Sequence, residues 1–202
     1  MTPAPPPDRS DQAVFAPDQI DRIAARILTD ADGDRPVVLI DGGSGSGKST
    51  LAEALIPVLE KLSAAPAYSA GSSTAWQLVH DEFYPGWAGL SAAWTVVPGQ
   101  ILASRNPGYT RWDWSKAAPG TRRDLDPIAP ILIECCGALT PASAPMATTR
   151  IWCRLDAGTR KQRALARDGE LFARYWAMWA VQEELHRLRN HPERLADLVV
   201  QG

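Results

Sequence analysis

Apolar and polar positions along this chain alternate between helical and extended patterns. Apolar residues recur at three- and four-residue spacing over residues 18–28, which predicts a helix. A second predicted helix ends near Leu62, and Pro57 within it is expected to kink that helix or to end it early. A third helix, rich in arginine, is predicted over residues 159–188 with a break at Gly169.

Short apolar runs rich in β-branched residues predict five strands, at residues 37–40, 76–80, 131–133, 149–155 and 195–200. Strands that alternate with helices favour an α/β fold with a parallel sheet covered by helices on both faces. Ligands of such sheets bind at the carboxyl ends of the strands. Residues 90–123 mix Gly, Pro and Trp without clean periodicity, and no regular element is predicted there.

The segment between the first strand and the second helix has the pattern Gly-x-x-x-x-Gly-Lys-Ser. It consists of Gly42, Gly43, Ser44, Gly45, Ser46, Gly47, Lys48, Ser49 and Thr50. Strand, glycine loop and helix in this order are typical of a P-loop, in which backbone amides and the helix N-terminus hold phosphates. Lys48 would reach the β- and γ-phosphates of ATP, and Ser49 would bind Mg²⁺. The alternative, a flexible linker, does not require Lys-Ser at this offset.

Two acidic residues are predicted at the same edge of the sheet as this loop. Asp81 follows the second strand, where a carboxylate could take a proton from an acceptor hydroxyl, or could serve as a helix cap or turn residue. Glu134 ends the third strand, where it could hold Mg²⁺ or bond a neighbouring loop. The convergence of both acids and the loop favours phosphoryl transfer.

Arginines in the long predicted helix share one face, since Arg160, Arg163 and Arg167 lie at i, i+3 and i+7. Guanidinium groups suit phosphate oxygens, so a lid carrying Arg163 and Arg167 could close over the transferred group. A solvated basic face is the alternative interpretation.

The irregular middle of the chain holds candidates for acceptor binding. The candidates with aromatic or charged side chains are Tyr84, Trp87, Arg111, Trp112 and Asp113, together with Asp81. Aromatic faces could stack on a base or sugar, although packing of a loop-rich region would also account for them. In a strand, Arg111 and Asp113 would share a face, where they could bind a polar acceptor or pair with each other.

Composition narrows the class of partner. The chain has 202 residues, 45% hydrophobic and 22% charged, as expected of a globular domain with a real core. A net charge of -2 and a pI of about 5.9 argue against nucleic acid or an anionic membrane as the main partner. The longest apolar stretch, residues 128–139, is broken by Pro130 and Glu134 and does not reach membrane-spanning length.

The cysteines and the N-terminal residues indicate the cellular compartment that we expect for the protein. The three cysteines, at positions 135, 136 and 153, form no Cys-x-x-Cys pair, so buried thiols in a reducing, cytoplasmic compartment are expected. The segment MTPAPPPDRS has no signal-peptide pattern, and residues 1–12 are predicted to be a disordered Pro-rich tail. No pattern in the sequence specifies an oligomer.

These segments together resemble the small P-loop kinases of the uridine kinase and phosphoribulokinase type. The matching segments are IDGGSGSGKSTLA at 40–52, HDEFYPGW at 80–87, ILIE at 131–134, RALARDGE at 163–170 and ADLVV at 196–200. The resemblance implies a five-stranded parallel sheet with a small helical lid at about 157–175. It also implies an acceptor-binding segment at about 81–123, within the single domain over 13–202 that the chain length predicts.

The resemblance further implies roles for individual residues. Asp81 would be the catalytic base, Lys48 and Ser49 would serve ATP and Mg²⁺, and Arg163 and Arg167 would be lid arginines. Two departures are visible: the family usually has Gly after ILIE, where Cys135-Cys136 stand here, and the RWDW segment at 111–114 differs from the uridine kinase pattern. The acceptor therefore stays open, with a nucleoside such as uridine first and a sugar, vitamin precursor or antibiotic as alternatives.

A regulatory nucleotide-binding module is the rival function class. The chain lacks the Asn-Lys-x-Asp motif of GTPases and the Leu-Ser-Gly-Gly-Gln signature of ABC-type ATPases. Asp81 separates the two classes, since a switch needs no base for an acceptor.

Overall fold

A computed structural model describes residues 15–64 and 75–202. The predicted tail at 1–12 and most of the predicted loop at 63–73 lie outside these residues. The described residues contain seven strands: β1 (Val37–Asp41), β2 (Gln77–Val79), β3 (Gly108–Asp113), β4 (Ala118–Asp124), β5 (Ile131–Glu134), β6 (Thr149–Arg154) and β7 (Leu198–Gln201). Five of these strands form a parallel sheet in the order β2-β5-β1-β6-β7, which confirms the predicted fold class.

The central strand β1 is buried on both sides, as a parallel sheet covered by helices requires. Val38 and Ile40 pack in a core with α1 (Pro17–Ala31) and α2 (Lys48–Ser63), whereas Val37 and Leu39 face the opposite core. Adjacent strands β5 and β6 flank β1 on its two sides. The loop after β1 therefore opens where the chain changes direction across the sheet, the usual ligand site of such folds.

The second face is covered by α4 (Ala157–Asn190) and by short helices, which are Leu90–Ala92, α3 (Ala93–Val96) and Val97–Ile101. Buried residues of α4 include Ala164, Phe172 and Trp179. Gly169 interrupts α4 with a φ of 66°, in the left-handed region, so the predicted break is confirmed. The segment bearing the predicted lid arginines precedes this kink.

A β-hairpin lies within the segment for which no regular element was predicted. Strands β3 and β4 pair antiparallel, with a register shift between Thr110 and Trp112. The backbone N–H of Trp112 donates a 2.7 Å hydrogen bond to the Glu82 carbonyl oxygen, and Glu82 also forms an ion pair with Arg111. The hairpin is thus fastened to the turn that follows β2.

The helix α2 ends at Ser63, close to its predicted end near Leu62. It does not end early at Pro57, because Leu55 and Leu59 on either side are fully buried and hold it against the sheet. The last strand begins at Leu198, since Pro192 starts a short helix, α5 (Pro192–Leu195). None of the helices in residues 15–64 and 75–202 combines the length and apolar character needed to cross a bilayer.

Candidate active site

The glycine loop has the backbone geometry that its motif predicts. Gly47, the residue before α2, has a φ of 91°, and Gly45 has a φ of 79°. A Cβ atom at Gly45 would clash with the backbone carbonyl of Arg160 at the start of α4. Glycine is therefore required at Gly45 both by its backbone angle and by the close approach of α4. Thr50 lies exposed in the first turn of α2.

Lys48 is buried behind this loop, with 8% of its surface exposed. Its Nζ atom donates hydrogen bonds to the Gly43 carbonyl oxygen (3.1 Å) and to the Cys136 sulfur (3.4 Å). Burial disfavours the charged form, but the Cys136 sulfur and the carboxylates of Glu134, Glu183 and Asp41 outweigh this effect and raise the pKa of Lys48. The ammonium group is thus held positive within the loop.

Glu134 connects the loop to the segment that carries Asp81. Its Oε1 atom accepts a 2.9 Å hydrogen bond from Ser49 Oγ and lies 2.7 Å from His80 Nδ1. Glu134 is 3% exposed, and its hydrogen bond raises the pKa of His80. Since His80 directly precedes Asp81, the loop and the predicted base lie at one edge of the sheet.

Asp81 is exposed to solvent but closely surrounded by protein atoms. Desolvation, followed by repulsion from Glu134, raises the pKa of Asp81 to about 6, against the smaller opposing effects of Lys48, Arg167 and His80. These interactions place Asp81 within electrostatic range of Lys48 and of Arg167. A carboxylate with this pKa is ionised at neutral pH and is basic enough to accept a proton.

The three arginines of the predicted lid differ in their contacts. Arg160 Nη1 donates to the Ser44 carbonyl oxygen (3.1 Å), so this arginine already touches the loop. Arg163 Nη1 is buried and has no hydrogen-bond partner among the described residues. Arg167 pairs with its neighbour Asp168, and the two carboxylates of the site contribute to raising its pKa. Arg160 therefore contacts the loop, and Arg167 lies within electrostatic range of Asp81 and Glu134, whereas phosphate binding by Arg163 and Arg167 stays a prediction.

A buried polar network, which sequence reasoning missed, fixes the root of the loop. Asp41 accepts hydrogen bonds from the backbone N–H groups of Gly42 (2.6 Å), Gly137 (3.0 Å) and Leu139 (2.8 Å). It also lies 2.9 Å from His186 Nε2, and Asn190 Nδ2 lies 3.0 Å from His186 Nδ1. With Asn190 donating to Nδ1, Nε2 carries the proton and donates to Asp41.

Glu183 is a second residue that sequence reasoning missed. Its Oε1 atom accepts a 2.6 Å hydrogen bond from the Ser44 N–H group, and Oε2 pairs with Arg160 Nη1 at 2.8 Å. The available signal was the buried face of α4, where His186 and Asn190 continue the stripe begun by Phe172 and Trp179. Polar residues on the buried face of a helix need hydrogen-bond partners, so they indicate contact with polar groups of another helix, strand or loop.

The predicted acceptor residues take up different positions. Tyr84 is buried, and its hydroxyl donates a 2.5 Å hydrogen bond to the Cys136 carbonyl oxygen. Trp87 stacks on Tyr175 of α4, with ring centroids 4.8 Å apart. Asp113 accepts hydrogen bonds from Ser115 at the tip of the hairpin.

Arg111 and Asp113 therefore do not pair with each other. Arg111 forms an ion pair with Glu82, and Asp113 forms one with Lys116 in the hairpin turn. Trp112 is half-buried on β3. Contact of any of these side chains with an acceptor stays a prediction.

The residues present fit a nucleoside triphosphate and Mg²⁺. The Ser44 N–H group already binds a carboxylate, and the buried Arg163 Nη1 atom lacks a protein partner among the described residues. The oxygens of Ser49 and Glu134 are 2.9 Å apart, about the separation of adjacent octahedral ligands at ~2.05 Å from Mg²⁺. No cluster of three or more His, Cys, Asp or Glu side chains in residues 15–64 and 75–202 could hold a metal, so phosphate and water would complete the shell.

Solved structures share this fold. A protein from Bacillus stearothermophilus, provisionally described as a uridine kinase, aligns over 90% of this chain and 97% of its own, with 21% identity and a TM-score of 0.60. A protein from Silicibacter sp. TM1040, provisionally described as a fructose transport system kinase, aligns over 90% and 98%, with 16% identity and a TM-score of 0.58. The chain therefore has the fold of uridine kinase-like P-loop kinases. No protein-family model matches it, and no curated protein matches it significantly.

Proposed function

We propose that this protein is a kinase that transfers the γ-phosphoryl group of ATP to a hydroxyl of a small molecule, with Mg²⁺ as cofactor. The observation that carries this proposal is the position of Glu134, which bonds both Ser49 of the loop and His80 next to Asp81. A nucleotide-binding loop and a carboxylate with a raised pKa thus share one edge of the sheet. A regulatory module would need the nucleotide-binding loop but not the carboxylate.

In this proposal Asp81 accepts the proton of the acceptor hydroxyl. The oxygen of that hydroxyl forms the new bond to the γ-phosphorus while the bond between phosphorus and the ADP oxygen breaks, and ADP leaves. Lys48, Arg163 and Arg167 hold the phosphate oxygens and balance the charge that develops on them. Mg²⁺, when bound by Ser49 and Glu134, would neutralise charge shared between the β- and γ-phosphates.

The acceptor is proposed to be a nucleoside such as uridine, with a sugar as the second choice. The names of the two structural neighbours favour these classes, one being described as a uridine kinase and the other as a fructose transport kinase. The exposed ring of Trp114, whose centroid lies 4.8 Å from that of Trp87, would offer aromatic surface to an acceptor. Such surface suits either a base or the apolar face of a sugar.

The proposal is tested by incubating the protein with ATP and Mg²⁺ against nucleosides, sugars, vitamin precursors and antibiotics that carry a hydroxyl. Mass spectrometry should find one class that gains a single phosphate. The Lys48→Met variant, which keeps the length of the side chain and removes its charge, should form no product. ATP-dependent product at equal rates from both proteins would contradict the assigned role of the loop.

A further inference from the structure

The carboxylate of Glu183 binds the phosphate-binding loop although it lies 139 residues after Ser44. It accepts the Ser44 N–H at 2.6 Å and pairs with Arg160 at 2.8 Å. The Glu183 side chain is only 9% exposed, and that of Arg160 is 18% exposed. A buried anion from the protein itself therefore sits on an amide of a loop whose backbone is arranged for anions.

The Glu183 carboxylate also lies close to the lysine of the loop. Glu183 Oε1 lies 3.8 Å from the Cys136 sulfur, and the same sulfur accepts a 3.4 Å hydrogen bond from Lys48 Nζ. In loops of this sequence the lysine reaches the β- and γ-phosphates. Ser44 lies four residues before Lys48, the first residue of α2. The Glu183 carboxylate therefore contacts both the Ser44 amide and the sulfur that Lys48 contacts, which is where a terminal phosphate held by this lysine would bind.

We propose that Glu183 determines nucleotide selectivity by occupying the terminal-phosphate position of the loop. The inference rests on the function proposed above. A triphosphate takes the place of the Glu183 carboxylate on the Ser44 amide, and Arg160 exchanges the carboxylate for a phosphate. A diphosphate has no third phosphate, so it leaves the Glu183–Arg160 pair in place.

The Glu183 carboxylate and the terminal phosphate would compete for two physical reasons. The Ser44 amide has a single hydrogen to donate, so it serves one anion at a time. A phosphate and a carboxylate that share one arginine also repel each other in a place with little water to screen them. Glu183 therefore weakens triphosphate binding and has little effect on diphosphate binding. A consequence is that ADP left after transfer competes more effectively with ATP than it would without Glu183.

The test compares Glu183→Gln with Glu184→Gln, its exposed neighbour, which pairs with Arg187 on the surface of α4. Calorimetry measures the affinity of each protein for a non-hydrolysable ATP analogue and for ADP, both with Mg²⁺. Glu183→Gln is expected to bind the analogue about tenfold more tightly than the wild type, with less than about twofold change for ADP. Glu184→Gln should match the wild type for both ligands.

Other results have different meanings. Unchanged or weaker analogue binding by Glu183→Gln, or an equal gain for ADP, would overturn the inference and leave the proposed kinase function standing. Failure of the wild type to bind the analogue would instead overturn the proposed function. If thermal unfolding shows that Glu183→Gln does not fold, Glu183→Asp replaces it, since its shorter carboxylate retracts from Ser44. It should also prefer the analogue more strongly than the wild type does, and an unchanged preference would overturn the inference.

Discussion

The hydroxyl of Ser49, in the glycine loop, donates a 2.9 Å hydrogen bond to the carboxylate of Glu134, at the end of β5. The two residues are 85 positions apart in the chain and meet because β5 is the parallel neighbour of β1. They provide the two protein oxygens that we assign to Mg²⁺. The remaining ligands of an octahedral ion would come from phosphate and water.

Removal of the Ser49 hydroxyl should weaken the use of Mg²⁺. In Ser49→Ala the ion loses one protein oxygen, so the Mg²⁺ concentration that gives half-maximal activity should rise by about 10- to 100-fold. Titration of activity with Mg²⁺ at saturating ATP measures the change, and excess chelator should stop both proteins. An identical Mg²⁺ requirement in the variant would remove Ser49 from the metal site.

Activity should depend on the ionisation of Asp81. Its pKa is raised to about 6, so kcat/KM should increase with pH up to about 6 and then level off, since only the carboxylate accepts a proton. Arg167 lowers this pKa, so Arg167→Gln should be less active overall and its pH profile should move to higher pH. A profile without change between pH 5 and 8, or a shift to lower pH, would exclude Asp81 as the titrating base.

The same pKa makes a prediction about stability. An ordinary Asp has a pKa near 3.8, so the folded protein binds the proton of Asp81 more tightly than the unfolded chain does. The contribution of Asp81 to the free energy of unfolding is therefore fully present below pH 4 and is lost as the pH rises through about 6. Asp81→Asn should therefore have a higher Tm than the wild type at pH 8 and an equal Tm at pH 4.

The control for this comparison is Leu188→Ala, an exposed substitution that adds and removes no ionisable group, so its Tm relative to the wild type should be the same at pH 4 and at pH 8. An Asp81→Asn variant whose Tm is lower than that of the wild type at pH 8 would show that the Asp81 carboxylate stabilises the fold.

The buried pair of Asp41 and His186 should contribute to stability. His186→Ala leaves the Asp41 carboxylate with one donor fewer in a buried place, so the free energy of unfolding should fall by about 3 kcal/mol. Urea unfolding measures the loss. Leu188→Ala, on the exposed face of the same helix, should change stability little. Equal losses in the two variants would show that the helix, and not the Asp41 contact, is responsible.

The glycine loop, the central strands and the kink at Gly169 could be predicted because their signals are local. An apolar run, a fixed spacing of glycines and a lone glycine within a helical pattern each depend on a few neighbouring residues. The hairpin was missed for a local reason too, since the register shift between Thr110 and Trp112 disturbs the alternation that marks a strand. The helix α2 does not end early at Pro57, because its burial outweighs the preference of a single residue.

The site was predictable only in part. Its loop, Asp81 and Glu134 follow strands, so sheet topology alone brings them together. The contacts of Glu183 with Ser44 and of His186 with Asp41 join residues 139 and 145 positions apart. No local pattern specifies such pairs, because they depend on how α4 folds back across the sheet after the Gly169 kink.

The central claim is that Asp81 deprotonates an acceptor held opposite the phosphate-binding loop. It is tested most directly by kcat of Asp81→Asn with the acceptor identified by mass spectrometry, alongside its affinity for the ATP analogue. We expect kcat to fall by about 10²- to 10⁴-fold while nucleotide affinity is retained, since the amide cannot accept the proton. A variant that transfers phosphate at the wild-type rate would contradict the account.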